Sequence, residues 1–139
     1  MGNKRIEIRE KLKELIQLDV NFTSVKVFTS RRSNNVQDEE LPSITIVTSE
    51  EPVTPESLNR KRYIRKTELR LELRVTASDD VDDVMDDLLS KLEDFMITNS
   101  NLEGILLDSV QQTTETDIGV EGNKEIGLGV LVFECTYIA

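Results

Sequence analysis

Carboxylates are concentrated in one short stretch of this 139-residue chain, "DDVDDVMDD", from residue 79 to residue 87. Hard divalent cations prefer such oxygen ligands, so the stretch could hold Mg²⁺ or a pair of catalytic metal ions. On a helix, however, these side chains spread over the face opposite the apolar stripe, where no other ligand converges. A solvated acidic helix face is therefore the favoured interpretation, and no cofactor is expected. The weak metal candidates are Asp79, Asp82, Asp83 and Asp86.

The chain has no histidine and a single cysteine, Cys135. Histidine is the commonest general base and metal ligand, so its absence excludes Ser/His and Cys/His nucleophilic sites. Cys135 lies in an apolar run, which predicts a buried, unreactive thiol and no intrachain disulfide. We therefore expect no catalytic residues and no enzymatic activity.

Charge is distributed unevenly along the sequence. Residues 1–70 carry 14 basic and 11 acidic side chains, whereas residues 71–139 carry 3 and 16. The basic stretch "RKRYIRK", from residue 60 to 66, could touch phosphates, but a net charge of -10 repels a nucleic-acid duplex at long range. No sequence-specific nucleic-acid binding is expected. The uneven charge could let one part of a subunit attract the opposite part of a neighbour, or it could simply keep the surface solvated.

The hydrophobic pattern predicts one domain, residues 1–139, of the α+β class. Two helices pack on one face of a mainly antiparallel or mixed sheet, in the order α-β-β-β-α-β-β. No apolar window is long enough to cross a bilayer, so no membrane partner is expected. Pro52 and Pro55 exclude a central strand, and Thr54 before Pro55 predicts the start of a helical turn. The predicted elements are helices 4–18 and 81–96 and strands 24–30, 43–49, 63–76, 105–112 and 127–138.

The strand that contains "RKTELRLELRV" has one apolar and one ionic side, because its side chains alternate between the two faces of the sheet. The final strand is apolar on both faces, with Val130 and Val132 on the side opposite Leu131 and Phe133. Apolar residues beside charged ones on a face that the helices leave uncovered suggest a contact between subunits. A central strand shielded by a long loop is the alternative. The candidate interface residues are Arg65, Glu68, Arg70, Glu72, Arg74, Val130 and Val132.

The order of elements, together with "DEELPSITIVTSEE", "LRLELRVTASDDVDDVMDDLLSKLEDFM" and the terminal "LGVLVFECTYI", resembles the tail terminator proteins of long-tailed bacteriophages, the minor tail protein U family. The resemblance spans nearly the whole chain and rests on architecture and lengths rather than on an invariant motif. It implies a structural protein of the virion tail, assembled in the host cytoplasm, with no catalytic residues. Its partners would be the tail tube protein and a head completion protein.

The same resemblance implies a six-fold ring of identical subunits that caps the tail tube, stops its polymerisation and presents a surface to the head. Such a subunit can be a monomer in solution until it docks. The alternating charges of the long strand would then fix the register between neighbours, while Val130 and Val132 would supply most of the burial. Three alternatives remain: a neck or head-tail joining protein of the same virion region, a divalent-metal-dependent enzyme that uses the aspartate cluster, and a monomeric acidic binding module.

Overall fold

The computed structural model describes residues 4–29, 42–49, 53–55, 63–77, 81–121 and 124–138. The predicted α+β class with two helices is confirmed, and the sheet is mixed. The order differs in detail, because a short strand and a 3-10 turn are added to the predicted elements. In chain order the elements are α1 (Lys4–Leu18), a 3-10 turn (Val20–Phe22), β1 (Lys26–Phe28), β2 (Ser43–Thr48), β3 (Val53–Pro55), β4 (Tyr63–Ala77), α2 (Val81–Thr98), β5 (Asp108–Glu121) and β6 (Lys124–Ile138).

Five strands lie side by side in the order β1-β2-β4-β6-β5, and β3 pairs with the first residues of β4. β1 and β2 are parallel, and all the other pairs are antiparallel. The pairing of β4 with β6 runs from Ile64 opposite Ile138 to Ala77 opposite Glu125. Since β5 pairs with the other side of β6, β6 has a strand partner on both sides over nearly its whole length.

The segment around Pro55 is a strand, so the predicted helical turn is wrong. Val53 pairs with Arg65 and Pro55 pairs with Tyr63, at the point where β2 no longer accompanies β4. Among the described residues β3 has a strand partner on one side only. This position suits a proline, which lacks the N–H group that a second ladder would need.

The hydrophobic core lies between the two helices and one face of the sheet. α1 packs on β1 and β2, and α2 packs on β4 and β6. Ile8, Leu12 and Ile16 recur at helical spacing and are fully buried, so they form the inner stripe of α1. From the sheet, the core receives Val27, Ile44, Ile46, Leu69, Leu71, Leu73, Val75, Leu131, Phe133, Cys135 and Tyr137.

α2 approaches the sheet closely because β6 has glycines beneath it. A Cβ atom added to Gly127 would lie 2.8 Å from Cε of Met85, and one added to Gly129 would lie 2.7 Å from Sδ of the same methionine. The missing side chains therefore make room for the first turns of α2. Within the described ranges, neither helix combines the length and the apolarity that are needed to span a membrane.

Candidate functional site

The two faces of β4 differ as the alternation of its side chains predicts. Leu69, Leu71 and Leu73 are fully buried under the helices. The other face, which we call the ionic face, carries a charged row from β4 that is only partly covered by its surroundings. This row consists of Glu68, Arg70, Glu72 and Arg74.

Charges of the ionic face pair along β4 itself. Arg70 Nη1 lies 3.5 Å from Glu68 Oε1, and Arg70 Nε lies 3.8 Å from Glu72 Oε2. The side chain of Arg70 is 33% exposed and that of Glu68 is 46% exposed. Ion pairs that are this long and this exposed contribute little to stability, so they can be exchanged for pairs with another molecule at small cost.

Arg65 does not belong to this row, although it was a candidate for the same interface. It lies opposite Tyr137 in the ladder, and the continuous alternation of β4 places it on the same face as Leu69 and Leu71. The side chains at Arg65 and Glu68 therefore leave the sheet on opposite sides. The sequence prediction joined them because they are neighbours in the sequence, without applying the period of two to the first residues of the strand.

Val130 and Val132 lie on the ionic face, as predicted, but they are already buried in a single subunit. Their exposed fractions are 7% and 8%. In the ladder, Val130 lies between Glu72 and Glu115, and Val132 lies between Arg70 and Thr113. Long side chains on a neighbouring strand cover apolar surface with their aliphatic stems while their charged ends stay in water. The two valines therefore have little apolar surface left for a neighbour, and the burial expected from them must come from elsewhere.

A groove of about 340 Å³ opens beside the row of charges, where β5, β6 and β4 meet. Lys66 and Glu134 face each other across it, with Nζ and Oε1 3.6 Å apart. Gln112, the extra residue of a β-bulge in β5, lines it as well. The sequence did not predict this groove, because its shape depends on the register of strands that are distant in sequence. Charged, polar and apolar side chains all line it, a mixture that suits a protein segment.

The aspartates of α2 are exposed to solvent. Asp82 and Asp83 lie in the first turn, where carboxylates interact favourably with the positive end of the helix dipole. Asp87 Oδ2 accepts a 2.9 Å contact from Lys91 Nζ one turn further on. The part of the chain that the structure describes contains no group of three acidic or cysteine side chains that could hold a metal ion. Asp79 lies outside the described residues.

Cys135 is fully buried between the strands and α2. Burial raises the pKa of its thiol to about 12, with smaller contributions from the negative charges of Asp108 and Glu134. A thiol in this state is a poor nucleophile and a poor metal ligand, since both roles need the thiolate. In the basic stretch, Lys66 is described and lies near Glu134, whereas residues 60–62 are outside the described ranges.

The chain matches no protein-family model, and no curated protein sequence is significantly similar to it.

Proposed function

We propose that this chain is a structural protein of virion assembly, a tail terminator-like subunit that forms a six-fold ring on the end of a bacteriophage tail tube. The ring ends polymerisation of the tube and offers a surface to the head completion protein. The proposal rests on the resemblance in element order and on one structural observation. That observation is a sheet face which carries a row of exchangeable ion pairs and which neither helix covers.

The physical argument starts from the pairs that Arg70 makes with Glu68 and Glu72. The side chains of these pairs are 26–46% exposed, and at 3.5 and 3.8 Å the pairs are longer than a typical hydrogen bond, so water competes with both partners. A neighbouring subunit that presents an alternating row of its own can replace these contacts without leaving a charge unpaired. Two alternating rows pair opposite charges in one register. If one row shifts by a single charged position, which is two residues along the strand, like charges meet. Such a face therefore selects geometry more than it supplies affinity.

Electron microscopy of phage tails assembled without this protein tests the proposal. We expect tubes of uncontrolled length that do not join heads, and addition of the purified protein should restore a defined length. Normal, head-joined tails in its absence would refute the assignment. Tails of normal length that fail to join heads would instead favour a neck or joining protein of the same region.

A charge variant tests the role of the ionic face directly. Arg70→Glu removes the only cation between two carboxylates and should abolish capping of purified tubes, whereas Arg70→Lys should retain it. Lys91→Glu changes the net charge by the same amount on the helical side and should cap normally. Thermal unfolding of each variant shows whether the subunit itself remains folded. If folded Arg70→Glu protein caps tubes as well as Lys91→Glu does, the ionic face is not the contact.

A further inference from the structure

β5 is the strand at one edge of the sheet. β5 pairs with β6 on one side, and in the ranges that the structure describes no strand pairs with its other side. All the side chains from residue 110 to residue 117 are exposed. A long edge strand presents a row of peptide N–H and C=O groups, which favours the addition of a strand from another molecule.

The charges of β5 exclude one obvious partner, which is β5 of a second copy. The strand has four acidic residues, Asp108, Glu115, Asp117 and Glu121, and no basic residue. A two-fold contact between two such strands would place carboxylates against carboxylates, and like charges directly opposite one another destabilise a strand pair. The edge is therefore suited to a partner with the opposite charge.

The opposite edge of the same sheet meets this requirement. It is formed by β1, with α1 packed beside it. Residues 4–29 carry six basic and four acidic side chains, whereas residues 81–121 carry one basic and eleven acidic side chains. Lys26 of β1 is exposed at this edge. The uneven charge of the sequence thus becomes a charge difference between the two ends of the sheet, because the strand order places β1 and β5 farthest apart.

We infer that the outer edge of β5 binds the β1 edge of a second copy of this chain, in a head-to-tail contact that continues the sheet from one subunit to the next. This inference rests on the proposed function and adds an edge-to-edge contact between ring neighbours to the contact proposed for the ionic face. A contact between two different surfaces of one chain leads to a ring when its rotation closes. Backbone hydrogen bonds would supply affinity, and the charge difference would steer the β1 edge rather than a second β5 strand into place.

Hydrogen exchange of the full chain, alone and bound to tail tubes, tests the inference. The outward amides of β5 should exchange at least about tenfold more slowly in the assembled ring, while amides of α2 that face solvent should be unchanged. Rings whose β5 amides exchange at the rate of the isolated subunit would overturn the inference and leave the proposed function standing. If the protein does not assemble on tubes and has no effect on tube length, the function and the inference both fail.

A pair of charge reversals gives a second, independent test. Glu115→Lys and Lys26→Glu should each weaken assembly about tenfold or more, because each places like charges across the contact. Both changes in one chain swap the signs on the two sides, so the double variant should recover most of the lost assembly. If the double variant loses as much assembly as the two single variants lose together, the contact is refuted. Lys91→Glu is the matched net-charge control for Lys26→Glu, and thermal unfolding of every variant excludes loss of the fold.

Discussion

Met85 occupies the space that a side chain at position 129 would need, where the chain has glycine. An added Cβ atom would lie 2.7 Å from Sδ of Met85 and 3.0 and 3.1 Å from the two methyl carbons of Leu89. Contacts of this length cannot be made without displacement, and three atoms from two side chains would have to move together. At this distance between α2 and β6, any larger residue at position 129 requires the side chains of Met85 and Leu89 to shift.

Gly129→Ala should lower the free energy of unfolding by about 1–3 kcal/mol, the usual cost of overpacking a core. This cost outweighs the gain of about 0.5–1 kcal/mol that comes from replacing a flexible glycine in a strand. Urea denaturation measures the difference. Thr116→Ala, at the position opposite Gly129 on exposed β5, is the control and should change stability by about 0.5 kcal/mol or less. Combining Gly129→Ala with Met85→Ala should cost less than the sum of the two single changes, and strict additivity would contradict the steric explanation.

Val132→Ala should destabilise the isolated subunit, because this valine is buried within it rather than at an open surface. Loss of its two methyl groups should cost about 1–2 kcal/mol, measured by chemical denaturation of the monomer. Val110→Ala is a matched control, since Val110 is 49% exposed and should change subunit stability little. A Val132→Ala variant with unchanged subunit stability but impaired assembly would show that Val132 contacts a neighbour after all.

Cys135 should be inert to thiol reagents in the native state. Burial raises the pKa of its thiol to about 12, so very little thiolate is present near pH 8. Modification by a chromogenic disulfide should therefore proceed only as fast as the protein unfolds, and urea should accelerate it to the rate of a free thiol. Rapid native-state labelling at pH 8 would contradict the buried position.

The same pKa shift gives stability a defined dependence on alkaline pH. The unfolded thiol loses its proton near its ordinary pKa of 9.0, whereas the native thiol keeps it until about 12. The unfolded state therefore binds fewer protons between these values, and the free energy of unfolding should fall as the pH rises through this window. Cys135→Ala removes this contribution while leaving the other titrating groups in place. Comparing the pH dependence of the two proteins isolates the thiol, and identical slopes between pH 9 and pH 12 would contradict the shift.

Divalent cations should stabilise the protein no more than sodium does at equal ionic strength. Asp82, Asp83 and Asp86 are exposed, and repulsion among them is reduced by screening from any salt. Thermal unfolding in MgCl₂ and in NaCl of matched ionic strength measures the effect. A saturable increase at micromolar Mg²⁺ that disappears in the Asp82→Asn/Asp83→Asn double variant would support a specific metal site, and turnover lost in the same variant would support the metal-dependent enzyme.

The sequence predicted the elements with a strong hydrophobic period and missed those without one. α1 begins and ends at the predicted residues, and β4 extends only one residue beyond its predicted end. β5 was predicted as residues 105–112 but runs from Asp108 to Glu121. The stretch from Thr113 to Asp117 contains no apolar residue and so shows no alternation, and all of its side chains are exposed. Only the pairing with β6 reveals that this segment is a strand.

The sequence predicted which charged side chains share a face of β4, but it did not predict that Val130 and Val132 are buried. Alternation along β4 correctly separates Glu68 and Arg70 from the leucines, because a strand fixes the direction of every second side chain. Exposure of Val130 and Val132 depends on which residues of other strands lie beside them, and this requires the register. In the turn after α2, Leu102 and Glu103 have positive φ angles of 47° and 57°, which their residue types do not predict. Leu102 is fully buried, so packing of its side chain maintains this conformation.

The position of β6 between β4 and β5 determines how the chain can fold. Residues of β4 pair with residues of β6 that lie beyond both α2 and β5 in the sequence, as Ile64 does with Ile138. The central ladder therefore closes through contacts of high sequence separation, which slows folding because a large loop must be ordered first. Until β6 is in place, one side of β4 has no strand partner, and α2 can pack only on β4. During synthesis, the nascent subunit therefore displays an incomplete sheet until its last strand emerges, and this interval is when premature association between chains is most damaging.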